Sequence, residues 1–202
     1  MTAKLLIASK NKGKLKEIQA LLYDMPIDLV TPEDLRLDLS VEETGRTYAE
    51  NAKLKAMTFA QASEIITLSD DTGLEVAALD GQPGLHSSRF VPKENATDAE
   101  RRSLLLKKLK DKPRPWYAQF VCVVVIATPK GELFYSKGSC PGEIISEERG
   151  SFGFGYDPLF LINPVNKTMA ELSMTEKNRI SHRAHAVRKS RAYLKKLFLI
   201  NA

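Results

Sequence analysis

Ile65-Ile66-Thr67-Leu68-Ser69-Asp70-Asp71-Thr72-Gly73-Leu74-Glu75-Val76 is the stretch on which the reading of this 202-residue chain turns. Its first four residues are apolar or β-branched, the composition of a short buried strand, and they deliver two adjacent carboxylates, Asp70 and Asp71, to the strand's C-terminal end. In open α/β sheets, ligands bind at such strand ends. Consecutive residues of a strand point to opposite faces, so the two aspartates have different work, one suited to a metal ion and the other to the fold. Asp-Asp-Thr-Gly is equally good turn chemistry, with Asp side chains bonding nearby backbone and Gly accepting positive φ; the residues alone leave both readings open. Beyond the turn, Leu74 to Leu79 suits a further strand, ended by Asp80-Gly81-Gln82-Pro83-Gly84.

Towards the N-terminus, Lys4 to Ser9 reads as a first strand, and Leu15, Ile18, Leu21 and Leu22 then fall at helical spacing. Between them lies Ser9-Lys10-Asn11-Lys12-Gly13-Lys14, a polar turn with three lysines feeding a helix N-terminus. Free backbone N–H groups and the positive end of the helix dipole make phosphate binding its natural use, although it lacks the glycine pattern of a P-loop. Ile27 to Val30 is a second strand, and Thr31-Pro32-Glu33-Asp34 reads as a helix cap or a single turn. Glu42 and Glu43 sit in an acidic loop before a helix predicted over Tyr48 to Ala62. They serve either the helix end or, with Asp71, a Mg²⁺ ion, which is commonly held by one or two carboxylates plus substrate phosphates.

Towards the C-terminus, Thr97-Asp98-Ala99-Glu100 is a capping box opening a helix to Lys110, and Phe120 to Ile126 is the most apolar strand, paired through Pro129 to Glu132 with Leu133 to Ser136. Gly150 to Pro158 carries three glycines and three aromatics. Glycines admit close backbone approach to a ligand and an aromatic face can stack on a nucleobase, while a bulged loop with rings folded into the core explains the same residues. Pro158 to Ile162 reads as a strand and Thr168 to Glu171 as a second capping box. Lys177, His182 and Arg183 precede or open a basic amphipathic helix reaching about Phe198, whose apolar face is Val187, Leu194, Leu197 and Phe198. A donor cluster there suits an oxygen-rich ligand.

With 43% hydrophobic and 27% charged residues, the chain is expected to form one globular domain over 1–202, with strands and helices alternating around a mixed sheet. No apolar run approaches the roughly 20 residues of a spanning helix. Two cysteines, Cys122 in the apolar strand and Cys140 in an expected loop, match no metal spacing and fit a reducing, cytoplasmic location. The net charge of +5 favours anionic partners, either nucleotides and phosphates or nucleic acid.

In this order the motifs resemble the inosine triphosphate pyrophosphatase family. The resemblance is carried by Ser9 to Lys14 with Glu17, Glu42-Glu43-Thr44-Gly45, Glu50-Asn51-Ala52, Ser69 to Leu74, Pro83-Gly84, Gly153-Phe154-Gly155-Tyr156-Asp157-Pro158 and Ser181-His182-Arg183. It implies a two-lobed α/β fold with a long mixed central sheet flanked by helices, a cleft between the lobes, and a homodimer. The implied activity is hydrolysis of aberrant purine nucleoside triphosphates such as ITP, dITP and XTP to the monophosphate and pyrophosphate, with Mg²⁺, or Mn²⁺ in its place. By matching positions, Asp71 is the general base and a metal ligand, shared with Glu42. Ser9, Lys10, Asn11, Lys12, Gly13, Lys14 and Thr72 hold the triphosphate, and Phe154, Gly155, Tyr156, Asp157, Lys177, His182 and Arg183 the nucleoside. No membrane and no stable nucleic-acid partner is expected. The competing readings are a pyrophosphatase of different base preference and a non-catalytic nucleic-acid-binding module.

Overall fold

A computed structural model describes residues 3–198. Seven strands, β1 (Lys4–Ile7), β2 (Asp28–Val30), β3 (Thr67–Val76), β4 (Trp116–Ala127), β5 (Leu133–Ile144), β6 (Phe160–Ile162) and β7 (Lys167–Thr168), form a sheet in the order β2-β1-β3-β4-β5-β6-β7. β1 pairs parallel with β2 and β3, whereas β6 pairs antiparallel with β5 and β7, so the sheet is mixed. Helices α1 (Lys12–Leu22), α2 (Tyr48–Ser63), α3 (Asp98–Leu109), α4 (Met174–Ile180) and α5 (His182–Leu197) complete the α/β fold. The described residues divide into one unit of 3–71, 122–138 and 182–198 and a second of 72–121 and 139–181.

In the first unit the two-residue period of the strands sorts side chains between two helical layers. Leu5 and Ile7 of β1, Leu68 of β3, and Cys122, Val124 and Ile126 of β4 pack with Ile18, Leu21 and Leu22 of α1 and Val187 and Leu194 of α5. The alternate residues face the other way. Val123, Val125 and Ala127 meet Ala52, Ala56 and Ala60 of α2, and Leu6 and Ala8 meet Phe59. The three alanines recur every four residues, so one stripe of α2 is small enough to lie close on the strand. On β5, Gly138 does the same for α5: a Cβ there would stand 2.2 Å from the His182 carbonyl oxygen and 2.5 Å from the Ala186 nitrogen.

The second unit has its own core, in which Leu105 and Leu109 of α3, Trp116 and Phe120 of β4, and Tyr156, Leu159 and Phe160 are buried. The rings of Phe120 and Phe160 lie 4.6 Å apart between centroids. The expected Thr97–Glu100 capping box opens α3, and Ser173 and Glu176 form another, unforeseen, at the start of α4.

Two expectations are corrected, at Asp70-Asp71 and at Cys140, and the single turn at Thr31 and the capping box at Thr168 are both present. Asp70 and Asp71 lie within one continuous ten-residue strand, not at a strand end, since Thr72 and Gly73 continue β3 and only Ala77–Leu79 departs, as a 3₁₀ turn. Thr31 to Asp34 closes on itself: Asp34 accepts from the Thr31 N–H and hydroxyl at 2.8 and 2.7 Å, and no α-helix follows. The Thr168–Glu171 box caps a single 3₁₀ turn. Cys140 lies in β5, which runs eight residues beyond Ser136; like Cys122 it is buried and outside any disulfide, and burial pushes its pKa up to about 11.

Candidate functional site

The parity of β3 decides what each aspartate meets. Asp70 shares the face of Leu68 and points to α1 and α5, where Arg183 donates to its Oδ2 from Nε at 3.2 Å and from Nη2 at 3.1 Å. Arg183 Nη1 donates to Glu17, and Lys14 Nζ stands 3.2 Å from Asp70 Oδ2. Arg183, Asp70 and Glu17 are 1%, 2% and 2% exposed, so this is a buried cluster of two carboxylates and two cations. Between them the carboxylates hold the Arg183 pKa above its ordinary value against the cost of burial.

Asp71 points the other way, to α2. Asn51 Nδ2 donates to Asp71 Oδ2 at 3.2 Å, and Lys55 Nζ lies 3.8 Å from Asp71 Oδ1 and 2.6 Å from Glu43 Oε1. Burial raises the Asp71 pKa, and the ammonium groups of Lys55 and Lys14 only partly offset it. For Lys55 burial works downward, but Asp71, Asp70 and Glu43 outweigh it and the pKa is raised. A buried carboxyl with a raised pKa beside a fixed cation has the features of a proton-accepting group.

The turn Ser9 to Lys14 behaves as its sequence suggests at one end: Asn11 caps α1 by accepting from the Lys14 N–H at 3.1 Å. Ser9, Lys10 and Lys12 border an open groove of about 460 Å³ that Thr31 and Arg36 also line. Lys14 turns inward to Asp70 and remains 16% exposed. Glu42 is exposed, whereas Glu43 is engaged by Lys55. Among the described residues no three His, Cys, Asp or Glu side chains converge on a metal cage.

In the second unit, Asp157 organises the aromatic loop. Its Oδ2 accepts from the Phe154 N–H at 2.9 Å and from Lys177 Nζ at 2.5 Å, and the Lys177 ammonium lies 5.1 Å from the centre of the Phe154 ring. Gly153 has φ +75, and a Cβ would fall 2.1 Å from Asp157 Oδ2, so only glycine fits. The Gly155 N–H donates to Asp98 at 2.7 Å and its carbonyl accepts from Arg102 at 2.9 Å. Tyr156 is 4% exposed and donates from its hydroxyl to the Ser87 carbonyl at 2.9 Å, so of the two readings open for the loop's aromatics this ring takes the one folded into the core. Phe154 is half-buried and Phe152 is 62% exposed.

The structure thus brings Phe154, Asp157 and Lys177 together in one unit and places His182 and Arg183 in the other, with Arg183 held by carboxylates of its own unit. The sequence reading missed Lys55 and left Asn51 only within a motif. Their signal was a polar pair four residues apart on an alanine-rich helix.

With this geometry in view, a family model described as the Ham1 family matches residues 5–193. The chain belongs to the Ham1 family. It is 45% identical over 192 residues to the dITP/XTP pyrophosphatase of Exiguobacterium sibiricum, covering 95% of this chain and 96% of that one. The dITP/XTP pyrophosphatase of Geobacter sulfurreducens is 42% identical, with 91% and 92% covered. Among solved structures, the Ham1 protein of Staphylococcus aureus superposes with a TM-score of 0.84 at 40% identity, covering 96% of this chain and 99% of that one. The Ham1 protein of Coxiella burnetii gives 0.86 at 38%, covering 96% and 100%. No helix among the described residues is long and apolar enough to cross a membrane.

Proposed function

We propose that this Ham1-family protein hydrolyses dITP, XTP and ITP to the nucleoside monophosphate and pyrophosphate. The observation that carries the reading is Asp71, a buried carboxylate held on two sides by Asn51 and Lys55, in a chain whose relatives bear the dITP/XTP pyrophosphatase name. The two units are taken as lobes of one catalytic domain, a reading supported by β3, β4 and β5, each of which supplies residues to both. A cytoplasmic homodimer belongs to the same proposal, and light scattering of the purified protein tests the assembly.

Asp71 and Glu42 fit a Mg²⁺ ion in their chemistry: they are hard oxygen donors too few for a closed cage, as suits an ion that keeps water and phosphate ligands. When bound, that ion neutralises charge building on the phosphate oxygens. Asp71 orients the attacking water and accepts its proton as the bond between the α- and β-phosphates is hydrolysed. Ser9 to Gly13 and Thr72 offer hydroxyl, amide and ammonium donors to the triphosphate, and Lys14 adds positive charge. In the second unit, Phe154 offers a ring face to the base, and Gly155, Tyr156 and Asp157 hold the loop that carries it.

Base selection is a matter of donors. Inosine and xanthine carry oxygen at position 6 where adenine carries an amino group, so a buried donor aimed at that position meets a donor in dATP and discriminates by roughly 10⁴. Lys177, 3% exposed and in the same unit as the Phe154 ring that its ammonium faces at 5.1 Å, is the assigned donor. Arg183 already spends its guanidinium on Glu17 and Asp70, so its part is to hold the site's frame.

The test is pyrophosphate release from dITP, XTP, dATP, dGTP and dUTP, each with Mg²⁺ and with EDTA. Release confined mainly to dITP and XTP, and abolished by EDTA, is expected. Release from dUTP keeps the chemistry and overturns the assignment of the base donor; silence on all five overturns the enzyme and favours a binding module.

A further inference from the structure

Asn51 lies in the first turn of α2 and is 1% exposed, a place where the large majority of polar side-chain atoms are hydrogen-bonded. Its partners fix which way the amide faces. The Asp71 carboxylate only accepts, so it must meet Nδ2, and the Gly45 N–H only donates, so it must meet Oδ1. The distances are 3.2 Å and 2.8 Å. One buried amide therefore links the strand that carries Asp71 to the loop that carries Glu42 and Glu43. The loop is fitted to this contact: a Cβ on Gly45 would lie 2.6 Å from Asn51 Oδ1 and 2.7 Å from Glu50 Cβ. One turn on, Lys55 makes a parallel link, 2.6 Å from Glu43 and 3.8 Å from Asp71. That link occupies Glu43 and leaves Glu42 as the loop's carboxylate for a cation.

We propose that Asn51 is a positioning residue that sets the spacing and aim of Asp71 and the Glu42 loop for a divalent cation. This rests on the reading of Asp71 and Glu42 as the metal's ligands. Asn51 touches neither substrate nor metal; it acts by presenting one carboxylate in a single orientation and tethering the other ligand's backbone. Residues of this kind next to metal ligands alter affinity or activity by about 10–100-fold when replaced.

The experiment uses Asn51→Leu, which keeps the branching of the side chain in a larger volume and removes both hydrogen bonds, Gly45→Ala, which breaks the same link from the loop side, and the double variant. Three quantities are read on each: the dissociation constant for Mn²⁺ by electron paramagnetic resonance, the Mg²⁺ concentration for half-maximal turnover of dITP, and KM for dITP. Each single variant is expected to weaken Mn²⁺ binding and raise the half-saturating Mg²⁺ by about 10-fold, with excess Mg²⁺ restoring much of kcat and KM little changed. The double variant should lose no more than the worse single one, because both cut one link. A folded variant with unchanged metal dependence makes Asn51 merely structural and overturns the proposal. If Asn51→Leu does not fold, Gly45→Ala decides by the same readouts. A wild-type protein whose turnover survives EDTA would instead overturn the metal reading, and this inference with it.

Discussion

The Arg183 guanidinium donates to Asp70 from two of its nitrogens and to Glu17 from the third, with Lys14 closing the cluster at 3.2 Å. Two negative and two positive groups balance, and removing one leaves an uncompensated charge in a place that water does not reach, at a cost of about 3–5 kcal/mol. Asp70→Ala is therefore expected to lower the unfolding free energy by about that amount in urea titration. A loss below about 1 kcal/mol, the value of a surface pair, would show the cluster to be wetter than its burial implies. One residue later, at Asp71, the role of the carboxylate reverses. Asp71 is held by an amide and an ammonium while burial raises its pKa, so its environment favours accepting a proton, and a neutral amide there keeps the shape and loses the base. Ser69, on the Asp71 side of β3, keeps a buried hydroxyl with no hydrogen-bond partner among the described residues, and nothing in the structure explains it.

At the scale of elements, the capping boxes carry a testable pH dependence. Glu100 is held at about 2 by the Lys93 ammonium and the Thr97 N–H, and Glu176 at about 2 by the Ser173 N–H and hydroxyl, against an ordinary value of 4.5. Because folding lowers both values, the stability that these glutamates add is present above pH 4.5 and is lost as the pH falls towards 2. The thermal midpoint of the wild type should fall across this window, and that of a Glu100→Gln, Glu176→Gln double variant should fall less steeply; equal slopes would contradict the assignment. Helices were legible in the sequence because apolar positions at 3.6-residue spacing and the Thr97 box are local signals, and both predicted the α3 boundary correctly. β3 was legible only in part. Thr72 and Gly73 favour a turn in isolation, but pairing within the sheet holds them extended, as tertiary context does. β5 was cut short at Ser136 because Gly138, Pro141 and Gly142 are poor strand formers. Gly142 stays in the strand because a Cβ would stand 2.4 Å from the Leu161 carbonyl oxygen.

At the scale of the whole molecule, neither unit is a single run of sequence. The first is assembled from 3–71, 122–138 and 182–198, which is why Glu17 and Arg183, 166 positions apart, share an ion pair that no local pattern announces. The motifs were visible as motifs; what they meet was not. The resemblance named Asp71, Glu42 and the lysine-rich turn, and the mixed sheet it implied is present. It gave Arg183 to the base, where the packing of α1, β3 and α5 instead gives it two carboxylates. The alternation of β3 is the device on which the account rests, sending Asp70 to stability and Asp71 to chemistry. The most direct test is kcat for dITP of Asp71→Asn at saturating Mg²⁺. A loss of about 10²–10⁴-fold or more is expected, with the unfolding free energy kept near that of the wild type. Turnover near the wild-type value would contradict it.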